Sequence, residues 1–284
     1  MCIIALENRS YKQVFGNTGS NGFPDVNTLA KTYGYASQMY GFSHPSLPNY
    51  IALACGSDEG VVDDAYDPGS KPLSVKCFVD QLADISVGWK AYCEDMPSVG
   101  FLGATAGSHG YARKHNPWVY FTTVRTTPAQ LNRVVPYTQL ATDLNAGNAP
   151  PFIWITPNLT DSGHDGTDKN CNDYIKGIVA TLQASTWYTQ NHGKIILWWD
   201  EGSDNQGIGD PSSNPKVPHG GNILCVVISE ANKGKSSVQP YAGKVNHLGL
   251  LHALETLYSV GGHTLLYLQG AANTSNGDLT PMLG

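Results

Sequence analysis

Four apolar runs, each stopping abruptly at a polar cluster, constrain the fold of this 284-residue chain more than any other feature. They are CIIAL (2–6), PFIWIT (151–156), KIILWWD (194–200) and NILCVVIS (222–229). Runs this short and this uniformly apolar read as strands buried on both faces. The segments between them read as helices: DVNTLAKTY (25–33) with Asp25 as N-cap, a helix starting near Pro45–Pro48 and continuing through YIALAC (50–55), VKCFVDQLADI (75–85), CNDYIKGIVATLQASTWYTQ (171–190) and VNHLGLLHALETLYSV (245–260). VGWKAY (87–92) reads as a further strand, and 93–135 as irregular. Strands alternating with helices predict an α/β fold with a mostly parallel central sheet flanked by helices. No repeat, linker or composition shift divides the chain, so one domain over 1–284 is expected, with 270–284 a loosely held polar tail.

In open parallel sheets, ligands bind beyond the carboxyl ends of the strands. Glu7 and Asn8 follow the first run, His164 and Asp165 follow the second, and Asp200 and Glu201 follow the apolar part of the third, so these groups are expected to converge. Three carboxylates and an amide oxygen suit one hard divalent cation, Ca²⁺ ahead of Mg²⁺ or Mn²⁺. Taken singly, each pair is also what an ordinary turn contains.

Ser46, between Pro45 and Pro48, stands at the start of a helix. Its hydroxyl can cap that helix, or it can attack phosphorus at an N-terminus whose free N–H groups suit a phosphate. The surrounding SHPSLPNY lacks the G-x-S-x-G pattern of esterases, which favours phosphoryl over acyl transfer. Of the nine histidines, His164 and His115 are site candidates, and His44 either orients substrate or packs. His247 caps or packs at a helix start, with a functional role as the alternative, His252 lies on that helix's surface, and His109, His192, His219 and His263 read as ordinary.

A net charge of -6 with no basic patch argues against a nucleic-acid polymer as partner. No window approaches the ~20 apolar residues of a membrane span. Charged residues are 14%, with Gly, Pro and Tyr plentiful, a composition common in exported proteins. The six cysteines form no CxxC pair, so one to three disulfides in an oxidising compartment are expected, with buried free thiols as the alternative. No signal peptide opens the sequence; a removed leader and a secreted or periplasmic location are expected.

In order along the chain, LENRSY, SHPSLPNYIALACG, AYCEDMP, YARKHNPWVYF, PNLTDSGHDG, WWDEG and VNHLGLLHALE resemble the bacterial and fungal phosphoesterase family. That family holds acid phosphatases, phosphatidylinositol phosphatases and phospholipases C, and belongs to the alkaline phosphatase-like superfamily. The likeness runs from about residue 3 to residue 260. It implies an alkaline phosphatase-like fold, with Glu7, Asn8, Ser46, Asp200 and Glu201 binding the metal and Ser46 also acting as nucleophile. His115 and His164 would contact phosphate or transfer protons, and His44, Asn49 and Lys114 are expected to contact substrate. The activity implied is a broad phosphomonoesterase acting through a phosphoserine on small-molecule or lipid-headgroup phosphate esters, phosphoinositides or nucleotides among them. A phospholipase C-type phosphodiesterase is the alternative, and a non-catalytic Ca²⁺-dependent binding module a third reading. The chain departs from the family in DSGHDG, where DMHDG is frequent, in a long segment after Glu201 with its own His219, and in Cys93; these bear on disulfides and substrate fit.

Overall fold

The structure, a computed structural model, describes residues 1–208, 219–259 and 264–284; His263 lies outside them. Its strands are β1 (Cys2–Leu6), β2 (Tyr35–Tyr40), β3 (Trp89–Cys93), β4 (Thr105–Ala106), β5 (Tyr111–Ala112), β6 (Val134–Pro136), β7 (Phe152–Thr156), β8 (Ile195–Trp199), β9 (Asn222–Ile228) and β10 (Val245–Asn246). Its helices are α1 (Tyr11–Val14), α2 (Pro24–Thr32), α3 (Ser46–Cys55), α4 (Phe78–Asp84), α5 (Thr122–Thr126), α6 (Pro128–Leu131), α7 (Gln139–Asn145), α8 (Asp168–Ala184), α9 (Thr186–Thr189), α10 (His247–Tyr258) and α11 (Thr280–Leu283).

Eight strands form one sheet in the order β10–β2–β9–β8–β1–β7–β3–β6, and β4 pairs with β5 in a separate hairpin. The four uniformly apolar runs are β1, β7, β8 and β9, adjacent at the sheet centre, and every residue of β1, β7 and β8 is buried. All pairings in this sheet are parallel except those of β9, which runs antiparallel to β8 and β2. Among the described residues no helix separates β8 from β9, and neighbouring strands joined without a crossover helix run antiparallel. Successive side chains of β8 reach opposite faces. The Trp198 ring lies 5.0 Å from that of Tyr50 on α3 and 4.8 Å from that of His247 on α10, whereas Trp199 meets Phe23, the N-cap of α2, at 6.3 Å. Thus α3 and α10 cover one face and α2, packed on α8, the other.

The local sequence explains the key helices. In α3, Pro48 needs no N–H partner in the first turn, and Gly56 closes the helix in the left-handed conformation (φ 83°), donating to the Ala52 carbonyl at 2.8 Å. A side chain at Gly56 would also collide with the Leu268 carbonyl. All ten residues of α3 are buried, as an apolar sequence without a polar stripe requires. In α8 the Thr167 hydroxyl accepts from the Asn170 N–H, and Cys171, Ile175, Ile178, Val179 and Leu182 form the inward stripe.

Several sequence expectations are corrected. The expected 171–190 helix starts at Asp168 and breaks at Ser185, which caps α9 with its side chain. The expected 75–85 helix is limited to Phe78–Asp84. The region 93–135 supplies the β4–β5 hairpin, short helices and the first residues of β6, an edge strand. The 270–284 segment is not loosely held: Leu279, Met282 and Leu283 are fully buried, and α11 packs on α10. The expected disulfides are absent, since Cys2, Cys55, Cys77, Cys93, Cys171 and Cys225 are all free and buried. Five sit on five different elements and Cys77 caps the start of α4, and each thiol fills core space as a small hydrophobe. Burial raises the pKa of each thiol, so all six stay protonated. Among the described residues no helix is long and apolar enough to cross a membrane.

Candidate functional site

Parallel pairing of β1 with β8 sets Leu6 beside Trp199, so the residues that follow leave the sheet together. Asp200 donates its N–H to the Leu6 carbonyl at 3.1 Å. Asn8 turns there with φ 43°, a left-handed conformation that asparagine tolerates, and its N–H reaches Asp200 Oδ1 at 3.1 Å. Ser46, first residue of α3, enters from the face above. Its Oγ lies 3.1 Å from Glu7 Oε2, 3.4 Å from Asn8 Oδ1 and 3.4 Å from Glu201 Oε1. Glu7, Asn8, Ser46, Asp200 and Glu201 therefore meet as expected, although they come from three distant stretches of chain.

This cluster is out of water and strongly acidic. Glu7 and Asp200 are fully buried and Ser46 is 1% exposed. Burial first, and then the neighbouring Asp200, push the Glu7 carboxyl well above the ordinary carboxylate range. Burial and Glu201 raise Asp200 in the same way. Asn8 Oδ1 faces only other oxygens; turned over, its amide nitrogen would donate to Glu7 Oε2 at 3.0 Å and Asp200 Oδ1 at 3.1 Å. A cation among these oxygens would favour the oxygen-inward orientation. Converging buried oxygens carrying excess negative charge are what a hard divalent cation requires, so the donor set fits one.

Histidines close the site on two sides. His44 Nδ1 is bonded to Glu201 Oε2, and its Nε2 faces the Asp204 carbonyl at 3.0 Å. The Glu201 bond is the main reason its pKa is raised, against the effect of burial. His115 is stacked on Tyr50, and its Nε2 lies 3.3 Å from Glu7 Oε1 without hydrogen-bond geometry, leaving a buried nitrogen without a bonded partner among the described residues. Burial, helped by Lys114 and His164, holds its pKa far below the ordinary histidine value, so the ring is neutral. His164 Nδ1 pairs with Asp165 Oδ1 at 2.6 Å, and its Nε2 lies 3.4 Å from Lys114 Nζ. Glu7, His115 and His164 each bring a ligand-type atom within 4.8 Å of the others, adding nitrogen donors beside the oxygen cluster. Burial opposes the charge on Lys114, but its 2.7 Å bond to Asp64 Oδ2 and the nearby Glu7 and Asp200 outweigh it and raise its pKa.

Asn49, expected to contact substrate, is fully buried: its Oδ1 accepts from the N–H groups of Phe42 and Ser43, and its Nδ2 donates to the Ser43 and Pro45 carbonyls. Its amide is saturated by the loop that delivers Ser46.

Three sets of contacts escape a sequence reading. The Tyr50 hydroxyl donates to Glu7 Oε1. Asp64 Oδ1 accepts the N–H of Leu47, so one donor of the α3 N-terminus is already taken by a carboxylate of the protein. His247, caught between Trp198 and Asp200, supports the turn after β8. The helical spacing from Ser46 to Tyr50 was a usable signal for the first; nothing local marks the other two.

Comparison with known proteins agrees with this architecture. The sequence model of the Phosphoesterase family matches residues 20–261. A phosphatidylinositol-3-phosphatase from Mycobacterium tuberculosis is 27% identical over 260 residues, covering 91% of this chain and 76% of that protein. A phosphate-repressible acid phosphatase from Penicillium chrysogenum is 30% identical over 181 residues, covering 63% of this chain but only 43% of its own length. Among solved structures, a protein in the alkaline phosphatase superfamily from Vibrio parahaemolyticus superposes with a TM-score of 0.58 at 12% identity, covering 96% of this chain and 69% of that one, a likeness of fold.

Proposed function

This chain belongs to the phosphoesterase family, and from that premise we propose that it is a divalent-cation-dependent phosphomonoesterase working through a phosphoserine on Ser46. One observation carries the reading: a buried serine hydroxyl at a helix N-terminus lies within 3.4 Å of oxygens of Glu7, Asn8 and Glu201. Glu7, Asn8, Ser46, Asp200 and Glu201 would hold the cation. The all-oxygen set favours Ca²⁺, with Mg²⁺ or Mn²⁺ next. A divalent cation held there would supply positive charge that favours the attacking serine oxygen and the phosphoryl group.

Ser46 Oγ passes its proton to Glu7 Oε2, to which it donates at 3.1 Å, and attacks phosphorus in line as the bond to the leaving alcohol breaks; the serine recovers that proton when the phosphoserine is hydrolysed. Of the two histidines considered as proton donors, His115 is neutral and enclosed. His164 is the partly open one, oriented by Asp165, and it gives the leaving oxygen its proton. In the second half it takes a proton from the water that hydrolyses the phosphoserine. Lys114 offsets charge on the phosphoryl oxygens, and His44 fixes Glu201. Substrates are small phosphate monoesters, including lipid-headgroup phosphates. An exported location rests on composition, since the cysteines are free.

The test is hydrolysis of p-nitrophenyl phosphate by wild type and Ser46→Ala, before and after EDTA, with single ions restored. Loss of turnover by either treatment, and its return with one ion, is expected. Turnover retained by Ser46→Ala would remove the nucleophile. Hydrolysis of p-nitrophenyl phosphorylcholine in place of the monoester would replace the reading with a phosphodiesterase.

A further inference from the structure

We propose that Asp64 is a positioning residue for phosphate recognition: by bridging the nucleophile's helix to Lys114, it sets the Lys114 ammonium where the phosphoryl group is bound. This rests on the reading of Lys114 as a phosphate contact. Asp64 lies in the loop between α3 and α4. Both carboxylate oxygens are engaged: Oδ1 accepts the N–H of Leu47, next to Ser46, at 2.9 Å, and Oδ2 accepts from Lys114 Nζ at 2.7 Å. The ammonium so held stands 3.4 Å from His164 Nε2. One side chain thus ties together the nucleophile's helix, the cation and, through that cation, the proton-transferring histidine.

Lysine needs such a tether. Its ammonium is a point charge on a flexible four-carbon stem. The buried carboxylates of Glu7 and Asp200 also attract it. Without Asp64, the ammonium would be drawn toward the acidic cluster, away from phosphate and into competition with the divalent cation. The adjacent Arg113 cannot replace it, because its guanidinium is turned to the Leu102 carbonyl and Asp67.

The experiment is a double-mutant cycle in cation-saturated enzyme, reading KM and kcat for p-nitrophenyl phosphate and the inhibition constant of inorganic phosphate. Lys114→Ala should raise KM and the phosphate inhibition constant by roughly tenfold or more. Asp64→Ala should raise both about tenfold with kcat changed by less than about threefold, and should add less than about twofold in the Lys114→Ala background. Asp64→Asn keeps an acceptor for Leu47 and loses the ion pair; it should follow Asp64→Ala, and it carries the cycle if the alanine variant does not fold. Multiplicative effects of the two changes would overturn the proposal, as would tighter phosphate binding in Asp64→Ala, which would make the carboxylate a competitor of the anion. If Lys114→Ala weakens phosphate but neither Asp64 variant does, this inference falls and the phosphate contact stands. If Lys114→Ala leaves phosphate binding unchanged, both fall.

Discussion

His247 holds Asp200 by its main chain. The imidazole Nε2–H donates to the Asp200 carbonyl at 2.5 Å, while the Trp198 indole N–H donates to Nδ1 at 3.0 Å. Both ring nitrogens are used, the tautomer is fixed, and burial pushes the pKa down to about 3. The first residue of α10 is thereby fastened to the strand end that carries Asp200 and Glu201. The carboxylate of Asp200 stays free to face Asn8 and the acidic cluster.

Replacing His247 by Ala should cost about 3 kcal/mol of stability, because it opens a cavity and leaves a buried indole N–H and a carbonyl unpaired. Urea denaturation measures the loss. Cation affinity should fall with it, since the turn after β8 is no longer fixed. A variant as stable as wild type would show that the ring is not holding this turn.

Chelation should give the protein a characteristic pH dependence. Glu7 and Asp200 have folded-state pKa values raised above their ordinary values of 4.5 and 3.8. Their contribution to stability is full below those values and is lost as pH rises through the raised ones. In EDTA the melting temperature should therefore fall between pH 5 and pH 8 more steeply for wild type than for Asp200→Asn. Saturating Ca²⁺ should flatten the wild-type slope. Identical slopes for the two proteins in EDTA would argue that Asp200 is ordinarily ionised.

Glu255 offers a second pH test far from the cluster. It is fully buried on α10, accepts from Leu268 N–H at 2.9 Å through Oε1, and has no partner at Oε2 among the described residues. Burial raises its pKa to about 7, against the effects of the Leu268 and Gln81 bonds. The stability it contributes is present below pH 4.5 and lost as pH rises through about 7. Glu255→Gln should stabilise the protein at pH 8 by up to roughly 3 kcal/mol and leave it nearly unchanged at pH 5. Thermal denaturation at the two pH values decides it; equal effects at both would refute the assignment.

Asn49→Ala should act as a folding and positioning lesion. It removes an amide that bonds Phe42, Ser43 and Pro45, leaving their buried groups unpaired, at a cost of about 2–4 kcal/mol. Turnover should drop because the loop before Ser46 loosens, and KM should change little. A rise in KM at unchanged stability would return Asn49 to the substrate.

The central architecture was legible because it is local. CIIAL, FIWIT, IILWW and NILCVVI are apolar enough to be buried on both faces wherever they pair, and Glu7, Asn8, Asp200 and Glu201 had to follow at their ends. Ser46 was legible for the same reason, since two prolines and an apolar run mark a helix start. Tertiary structure decided what depends on a distant partner. YASQMY carries no clear period, yet becomes β2 because β9 and β10 pair with it on either side. The polar-looking tail is ordered by burial of Leu279, Met282 and Leu283. Asn49 and His115 were equally plausible in sequence as groups facing substrate. Folding enclosed one in backbone hydrogen bonds and set the other, neutral, against Tyr50 and Glu7. Asp64 and His247 have no local signature, because each acts through contacts with groups at least 17 residues away. Burial and hydrogen-bond saturation separate a reactive group from a structural one, and both are properties of the packed chain.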